Sequence, residues 1–243
     1  PRSTPLYSSA ASDVYKRQLV DTLRRGIRLS LFIGVPASIG LALVPFDLTY
    51  VLYSGGAKGF DQQGVERSAA ALLAYAPGIW VYSLNHVFAR LFYATGDTRT
   101  PMIVSLWMVL FNILLNFTLI WFVREAGLAW STTITATIQL AVLMHLAKRR
   151  LGSAVGVDID APPAANPRLL DRATLRSAGR TVAASVLVGL AVAGMQAVLP
   201  PASSWMGHLI TLGASAFLGI GVYFVISRVL GAEELRLLLR RSV

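Results

Sequence analysis

Six apolar stretches, each approaching or exceeding the length of a membrane-crossing helix and separated by short polar breaks, constrain this chain more than any motif in it. They run over residues 29–52, 68–93, 102–123, 128–147, 181–199 and 209–230. A helix needs about 20 predominantly apolar residues to cross a hydrocarbon core of roughly 30 Å. A backbone in lipid must also satisfy its own hydrogen bonds, which a helix does and an open strand does not. One such helix could be buried in a soluble domain, but six in succession leave no polar face for water. The expected fold class is all-α: a polytopic transmembrane helical bundle of about six spans. A composition of 55% hydrophobic and 14% charged residues, with a mean hydropathy of +0.60, agrees with short loops and no large extramembrane domain.

The formal charge of +10 raises nucleic acid as a partner, and the placement of the basic residues argues against it. If the N-terminal tail is cytoplasmic, all of the 22 Lys and Arg residues except Lys58, Arg67 and Arg124 fall on that side. This is the asymmetry of the positive-inside rule, and it puts both termini in the cytoplasm. Anionic lipid headgroups then account for the charge, and membrane lipids rather than nucleic acid are the expected partners.

The chain divides by composition into four parts. Residues 1–18 are polar and lack a helical apolar period, so a disordered or foreign leader is expected; the start at Pro1, without an initiator Met or signal peptide, suggests a fragment or a processed product. Residues 19–151 carry spans one to four. Residues 152–180 form a cytoplasmic linker rich in Gly, Ala, Asp and Pro, passing into an amphipathic surface segment over 169–180. Residues 181–243 hold spans five and six and an interfacial tail expected to be helical over 233–241, with Trp205 as an interface anchor. Pro36 predicts a bend in span one, and Pro77-Gly78 predicts a stronger kink in span two. Arg124-Glu125-Ala126-Gly127 is so short a turn that spans three and four must form an antiparallel hairpin.

Few residues within the spans carry chemistry. Tyr82, His86 and Arg90 follow at i, i+4 and i+8, a polar stripe on one helix face with Asn85 beside it. Ionisable groups at membrane depth are costly and point into a bundle or an aqueous cavity. The stripe is therefore a candidate wall for an anionic headgroup; the competing reading has Arg90 snorkelling to the interface and His86 packed as a neutral residue. Asn112 and Asn116 lie one turn apart in span three, where hydrogen bonding between helices is the leading reading; Asn116 is also kept as a headgroup contact. Span four carries Ser131, Thr132, Thr133, Thr135, Thr137 and Gln139, and span six carries Gly213, Gly219 and Gly221, suited to close packing or to a groove for a lipid chain. Gly96, Asp97, Arg99 and Pro101 mark a tight turn, with Asp97 and Arg99 holding it by capping and local charge pairing.

Enzyme signals are nearly absent. His86, His145 and His208 have no metal-ligand spacing, no acidic pair sits in a span, no phosphate-cradling loop exists, and the absence of cysteine removes thiol chemistry. No catalytic residue, metal or cofactor is expected.

The stretch from Phe88 to Pro101, with its Phe92-Tyr93-Ala94 and Asp97-Thr98-Arg99-Thr100-Pro101, resembles the signature of the MurJ (MviN) lipid II flippases of the multidrug/oligosaccharidyl-lipid/polysaccharide exporter superfamily. Leu23-Arg24-Arg25-Gly26-Ile27-Arg28, Asn116 and Ala126-Gly127-Leu128 add to the similarity, which covers residues 19–243 and not 1–18. The resemblance implies the C-terminal lobe of a fourteen-helix transporter, helices nine to fourteen. Such a transporter moves the undecaprenyl-pyrophosphate-linked peptidoglycan precursor across the bacterial cytoplasmic membrane by alternating access. It further implies lipid II or a related polyprenyl-linked glycolipid as partner, an N-terminal lobe that bears most of the headgroup arginines, and a lipid-exposed groove at the last two helices. A chain of these helices alone is not expected to transport. An O-antigen type polysaccharide-lipid flippase, a polyprenyl-phosphate enzyme and a non-transporting membrane scaffold are the alternatives.

Overall fold

The computed structural model describes residues 6–55, 59–154 and 171–235. Eight α-helices account for nearly all of these residues: α1 (Leu6–Leu43), α2 (Pro45–Tyr53), α3 (Gln62–Tyr75), α4 (Gly78–Ala94), α5 (Arg99–Val123), α6 (Glu125–Ala154), α7 (Arg172–Val198) and α8 (Trp205–Val229). There is no strand among the described residues. Five segments are long and apolar enough to cross a membrane: Gln18–Leu43, Arg99–Val123, Glu125–Arg150, Arg172–Val198 and Trp205–Val229.

The sixth expected span exists as two shorter helices. Span two is interrupted at Ala76-Pro77, between α3 and α4, because Pro77 offers no N–H to continue the ladder. The Thr133 hydroxyl of α6 donates to the Ala74 carbonyl beside the break at 2.8 Å, the kind of side-chain compensation that a broken helix in lipid requires. In span one, α1 runs through Pro36 and ends at Leu43; Val44 then precedes Pro45, which opens α2.

The termini also differ from expectation. Helix α1 begins at Leu6, so most of the segment read as a disordered leader is helical backbone; residues 1–5 lie outside the described residues. The amphipathic segment over 169–180 is not a separate surface helix. Its described part belongs to α7, which is capped by Asp171 accepting from the Thr174 N–H at 2.7 Å. Of the linker, 155–170 lies outside the described residues, as does 236–243 of the expected tail helix; 233–235 form a single turn.

Helix α1 is the shared axis of the bundle, packing on α4 along one side and on α7 along another, while α6 gathers α3, α4 and α5. The first neighbourhood holds the densest core: Val20, Leu23 and Ile27 of α1, Val81, Leu84, Phe88, Leu91 and Phe92 of α4, and Ala136, Leu140, Leu143 and Ala147 of α6. Gly34 lets α1 approach α4 closely, since a Cβ there would lie 2.8 Å from the Trp80 Cα. Lipid tails are as apolar as leucine, so this contact is held by packing rather than by expulsion of water. Opposite surfaces stay bare: Trp121, Phe122, Phe217 and Val229 are each more than four-fifths exposed, as lipid-facing residues should be.

Candidate functional site

The predicted stripe lies on α4, a helix whose other face is fully engaged. Val81, Leu84, Phe88 and Leu91 are buried in the core, while His86 and Arg90 are exposed on the outer face. Tyr82 is half-buried, its ring folded back over Gly78 so that a Cβ on Gly78 would meet Tyr82 Cε2 at 2.8 Å. Asn85 does not share this face. It is buried, and its amide donates to the Ala136 carbonyl of α6 at 2.9 Å. Of the α4 candidates, Tyr82, His86 and Arg90 thus follow one another along the outer side, and Asn85 ties α4 to α6.

Asn116 sits in the seam between α5 and α6. Its amide donates to Asn112 Oδ1 at 3.1 Å, the Ser131 hydroxyl donates to Asn116 Oδ1, and Asn112 Nδ2 lies 3.4 Å from both the Ser131 and Thr135 hydroxyls. Lower in the same seam Gln139 donates to Ser105 at 3.1 Å. Asn112, Asn116, Ser131 and Thr135, and below them Ser105 and Gln139, satisfy one another here, across a hairpin whose only connecting residue is Arg124.

The turn after α4 is built as the sequence predicts in its backbone and differently in its charges. Gly96, at φ +74°, closes α4: its N–H reaches the Tyr93 carbonyl at 3.0 Å and the Asp97 N–H reaches Phe92 at 2.9 Å. Only a residue at ease with positive φ fits there. The Asp97 carboxylate accepts from the Thr100 N–H at 3.0 Å and the Thr100 hydroxyl at 2.7 Å. Its ion-pair partner is Arg150 of α6, at 2.9 Å, rather than the neighbouring Arg99. The Thr100 N–H, then its hydroxyl, and after these Arg150, hold the Asp97 carboxyl below the usual carboxylate range.

One pairing is not foreseeable from spacing. Asp47, in the first turn of α2, shares a 2.6 Å hydrogen bond with His208 of α8. The His208 ring lies 4.1 Å from the Tyr50 ring centroid. The signal in the sequence is a lone acid inside span one, which lipid burial obliges to find a partner. Where the span-six glycines suggested close packing or room for a lipid chain, an apolar groove of about 390 Å³ lies between α1, α7 and α8, walled by Phe32, Ile33, Val188, Val192, Gly219 and Tyr223 with others. A Cβ on Gly219 would meet Val188 at an ordinary 3.6 Å, and nothing lies within 4 Å of a Cβ at Gly213 or Gly221. The glycines of span six therefore leave space more than they close it.

Taken together, membrane-crossing helices with no strand among the described residues, a proline-broken span and a polar stripe beside a packed core define a multi-pass helical membrane protein. The family model described as lipid II flippase MurJ matches residues 4–227, and the chain belongs to that family. The match takes in most of the segment 1–18 that the sequence reading set apart. A Vibrio cholerae protein called a probable lipid II flippase MurJ is 32% identical over 145 residues, 58% of this chain and 27% of that protein. A Bdellovibrio bacteriovorus protein of the same description is 24% identical over 238 residues, 98% of this chain and 42% of that protein. A solved lipid II flippase MurJ in an inward closed conformation superposes with a TM-score of 0.63 at 18% identity, over 92% of this chain and 45% of that one, a likeness of fold. The chain thus spans less than half the length of each of these relatives.

Proposed function

We propose that this chain forms the C-terminal part of a lipid II flippase of the bacterial cytoplasmic membrane, acting by alternating access without a covalent step. The observation that carries the reading is the outer side of α4, with exposed His86 and Arg90 following half-buried Tyr82, set on a helix otherwise locked into the core and running into the family-like turn at Gly96–Pro101. In the complete transporter this side lines the headgroup cavity against the N-terminal lobe, and Arg90 offers a bidentate fork to pyrophosphate oxygens. The groove between α1, α7 and α8 takes the polyprenyl tail, and α4 is steadied by Asn85 and by the Asp97–Arg150 pair. Rocking of one lobe against the other then moves the headgroup between the two faces of the membrane. Both termini are cytoplasmic in this reading, so a reporter at Gly231 is active as a cytoplasmic marker and one at Ser203 as an external marker.

The test is lipid II binding by the complete transporter carrying this sequence, compared with Arg90→Ala and Arg90→Lys at matched expression. Binding falls with Ala and is partly kept with Lys, because an ammonium supplies charge without the fork. Equal affinities for all three proteins remove Arg90 from the site. Full rescue by Lys assigns it to phospholipid phosphates at the interface.

A further inference from the structure

At one end of the apolar groove a second, polar cavity of about 190 Å³ lies between α1, α7 and the turn after α8. Phe32 and Ser227 line both spaces, so the polar cavity and the groove adjoin. The polar one is lined by three arginines, Arg28, Arg176 and Arg180, and by two carboxylates, Glu233 and Glu234. Among the described lining residues three arginines thus stand against two carboxylates.

The carboxylates are held unequally. Glu234 is buried and accepts the Ser177 hydroxyl at 2.6 Å. Glu233 is 76% exposed at its side chain and reaches Arg28 only at 3.4 Å. Arg28 also points its Nε at the Thr174 hydroxyl, 3.4 Å away. No carboxylate among the described residues forms an ion pair with Arg176 or Arg180. The backbone explains how the acidic pair arrives there. Gly231, at φ +63°, ends α8 with the Ala232 N–H bonded to the Ser227 carbonyl at 2.9 Å, a reversal that sets 233–235 over the cavity and Leu235 against the groove.

We infer that, while the α1–α7–α8 groove is free of the polyprenyl tail, this cavity binds the phosphate of an anionic bilayer phospholipid whose acyl chain lies along that groove, and that Glu233 is the internal carboxylate the phosphate displaces from Arg28. Guanidinium forks match phosphate oxygens two at a time, and basic pockets between membrane-spanning helices are where lipid headgroups are held. The groove distinguishes a lipid from a free anion, because an apolar trough of about 390 Å³ leading from the arginines gives a soluble phosphate nothing to contact. Arg176 and Arg180, which no carboxylate among the described residues pairs, favour a lipid of net negative charge over a zwitterionic one. Glu234, anchored by Ser177, stays and fixes the segment. The site requires only a membrane around the chain and stands whether or not the protein carries lipid II.

The test uses the full chain, purified and delipidated in detergent, titrated with phosphatidylglycerol and with phosphatidylcholine of the same chains. Wild type prefers phosphatidylglycerol. The R176Q/R180Q pair weakens its binding by about ten-fold or more, the loss expected for charge-assisted contacts, and abolishes the preference. R176K/R180K keeps the charge, guards against a folding defect and lies between the two. Glu233→Gln strengthens phosphatidylglycerol binding, because the competitor for Arg28 is gone, and Gly219→Leu weakens it by filling the groove. Unchanged affinity in R176Q/R180Q, or weaker binding in Glu233→Gln, overturns the proposal. Complete displacement of the lipid by millimolar inorganic phosphate assigns the arginines to a soluble anion instead, and indifference to Gly219→Leu removes the chain from the groove.

Discussion

Helix α1 meets two neighbourhoods that handle the same shortage of polar atoms in opposite ways. Along Val20 to Gly34 it faces α4, where Phe88, Phe92 and, from α6, Leu143 fill the space and are at most 1% exposed. Along Phe32 to Val44 the chain faces α7 and α8, which contribute Val188, Val192, Ser215, Ala216 and Gly219 beside the larger Ile220, Tyr223 and Phe224, and there a groove of about 390 Å³ remains. In water an apolar trough of that kind would be driven shut or covered. In a bilayer a lipid chain fills it as well as a side chain would, so nothing forces the helices together. In the proposed readings this groove is the lipid-binding surface, while the large residues packed between α1, α4 and α6 are a rigid frame for the polar stripe.

The contrast breaks most visibly under large-to-small substitution. Phe88→Ala, in the frame, costs about 3–5 kcal/mol by the usual cost of emptying a buried aromatic site, whereas Phe224→Ala on the groove wall, already 41% exposed, costs far less. Unfolding in detergent measures both, and equal losses would mean that the groove is as tightly packed as the frame. A smaller effect separates two glycines. Gly34→Ala drives a Cβ to 2.8 Å from the Trp80 backbone and destabilises by about 1–3 kcal/mol through overpacking, while Gly219→Ala, at 3.6 Å from Val188, leaves the melting temperature nearly unchanged.

The smallest expected effect concerns the turn that joins the frame to α5. The Asp97 carboxyl titrates below its ordinary value, chiefly because of the Thr100 N–H and hydroxyl and then because of Arg150. Its contribution is therefore present above the unfolded carboxylate pKa of about 4 and is lost as the pH falls through the lower, folded value. Asp97→Asn should lie below wild type in thermal stability near neutral pH, and the gap should close on acidification. A gap that does not change with pH would show that the carboxylate's charge contributes nothing.

How much of this was legible beforehand depended on the range of the interactions. The spans, the α5–α6 hairpin and the Gly96 turn follow from local sequence: apolar run length, a one-residue connection and a glycine before Asp-Thr-Arg. The break at Pro77 was visible for the same reason, although its consequence, two helices in place of one span, was not counted. The polar composition of Leu6 to Gln18 hides the helical backbone of α1, and the end of α1 at Leu43, ahead of Pro45, is not marked by the apolar run, which continues to Leu52. Partners distant in sequence were beyond reach. Asp97 was matched to Arg99, two residues on, because only the fold brings Arg150 to it. Asp47 with His208, and Arg28 with Glu233, lie 161 and 205 residues apart. The candidate stripe on α4 was read from helical spacing alone. Asn85 fell out of it because its neighbour across the core, Ala136, offers a carbonyl.

The account turns on whether the Tyr82–His86–Arg90 side of α4 faces a water-filled cavity in the assembled transporter. The chain has no cysteine, so single cysteines report cleanly when placed in a cysteine-free complete transporter and exposed to a water-soluble maleimide. His86→Cys and Arg90→Cys should be modified, and lipid II should slow the reaction, while Phe117→Cys on the bare face of α5 should stay unmodified in the membrane. Labelling at His86 as slow as at Phe117, with no protection by lipid II, would put that side of α4 in lipid and contradict the account.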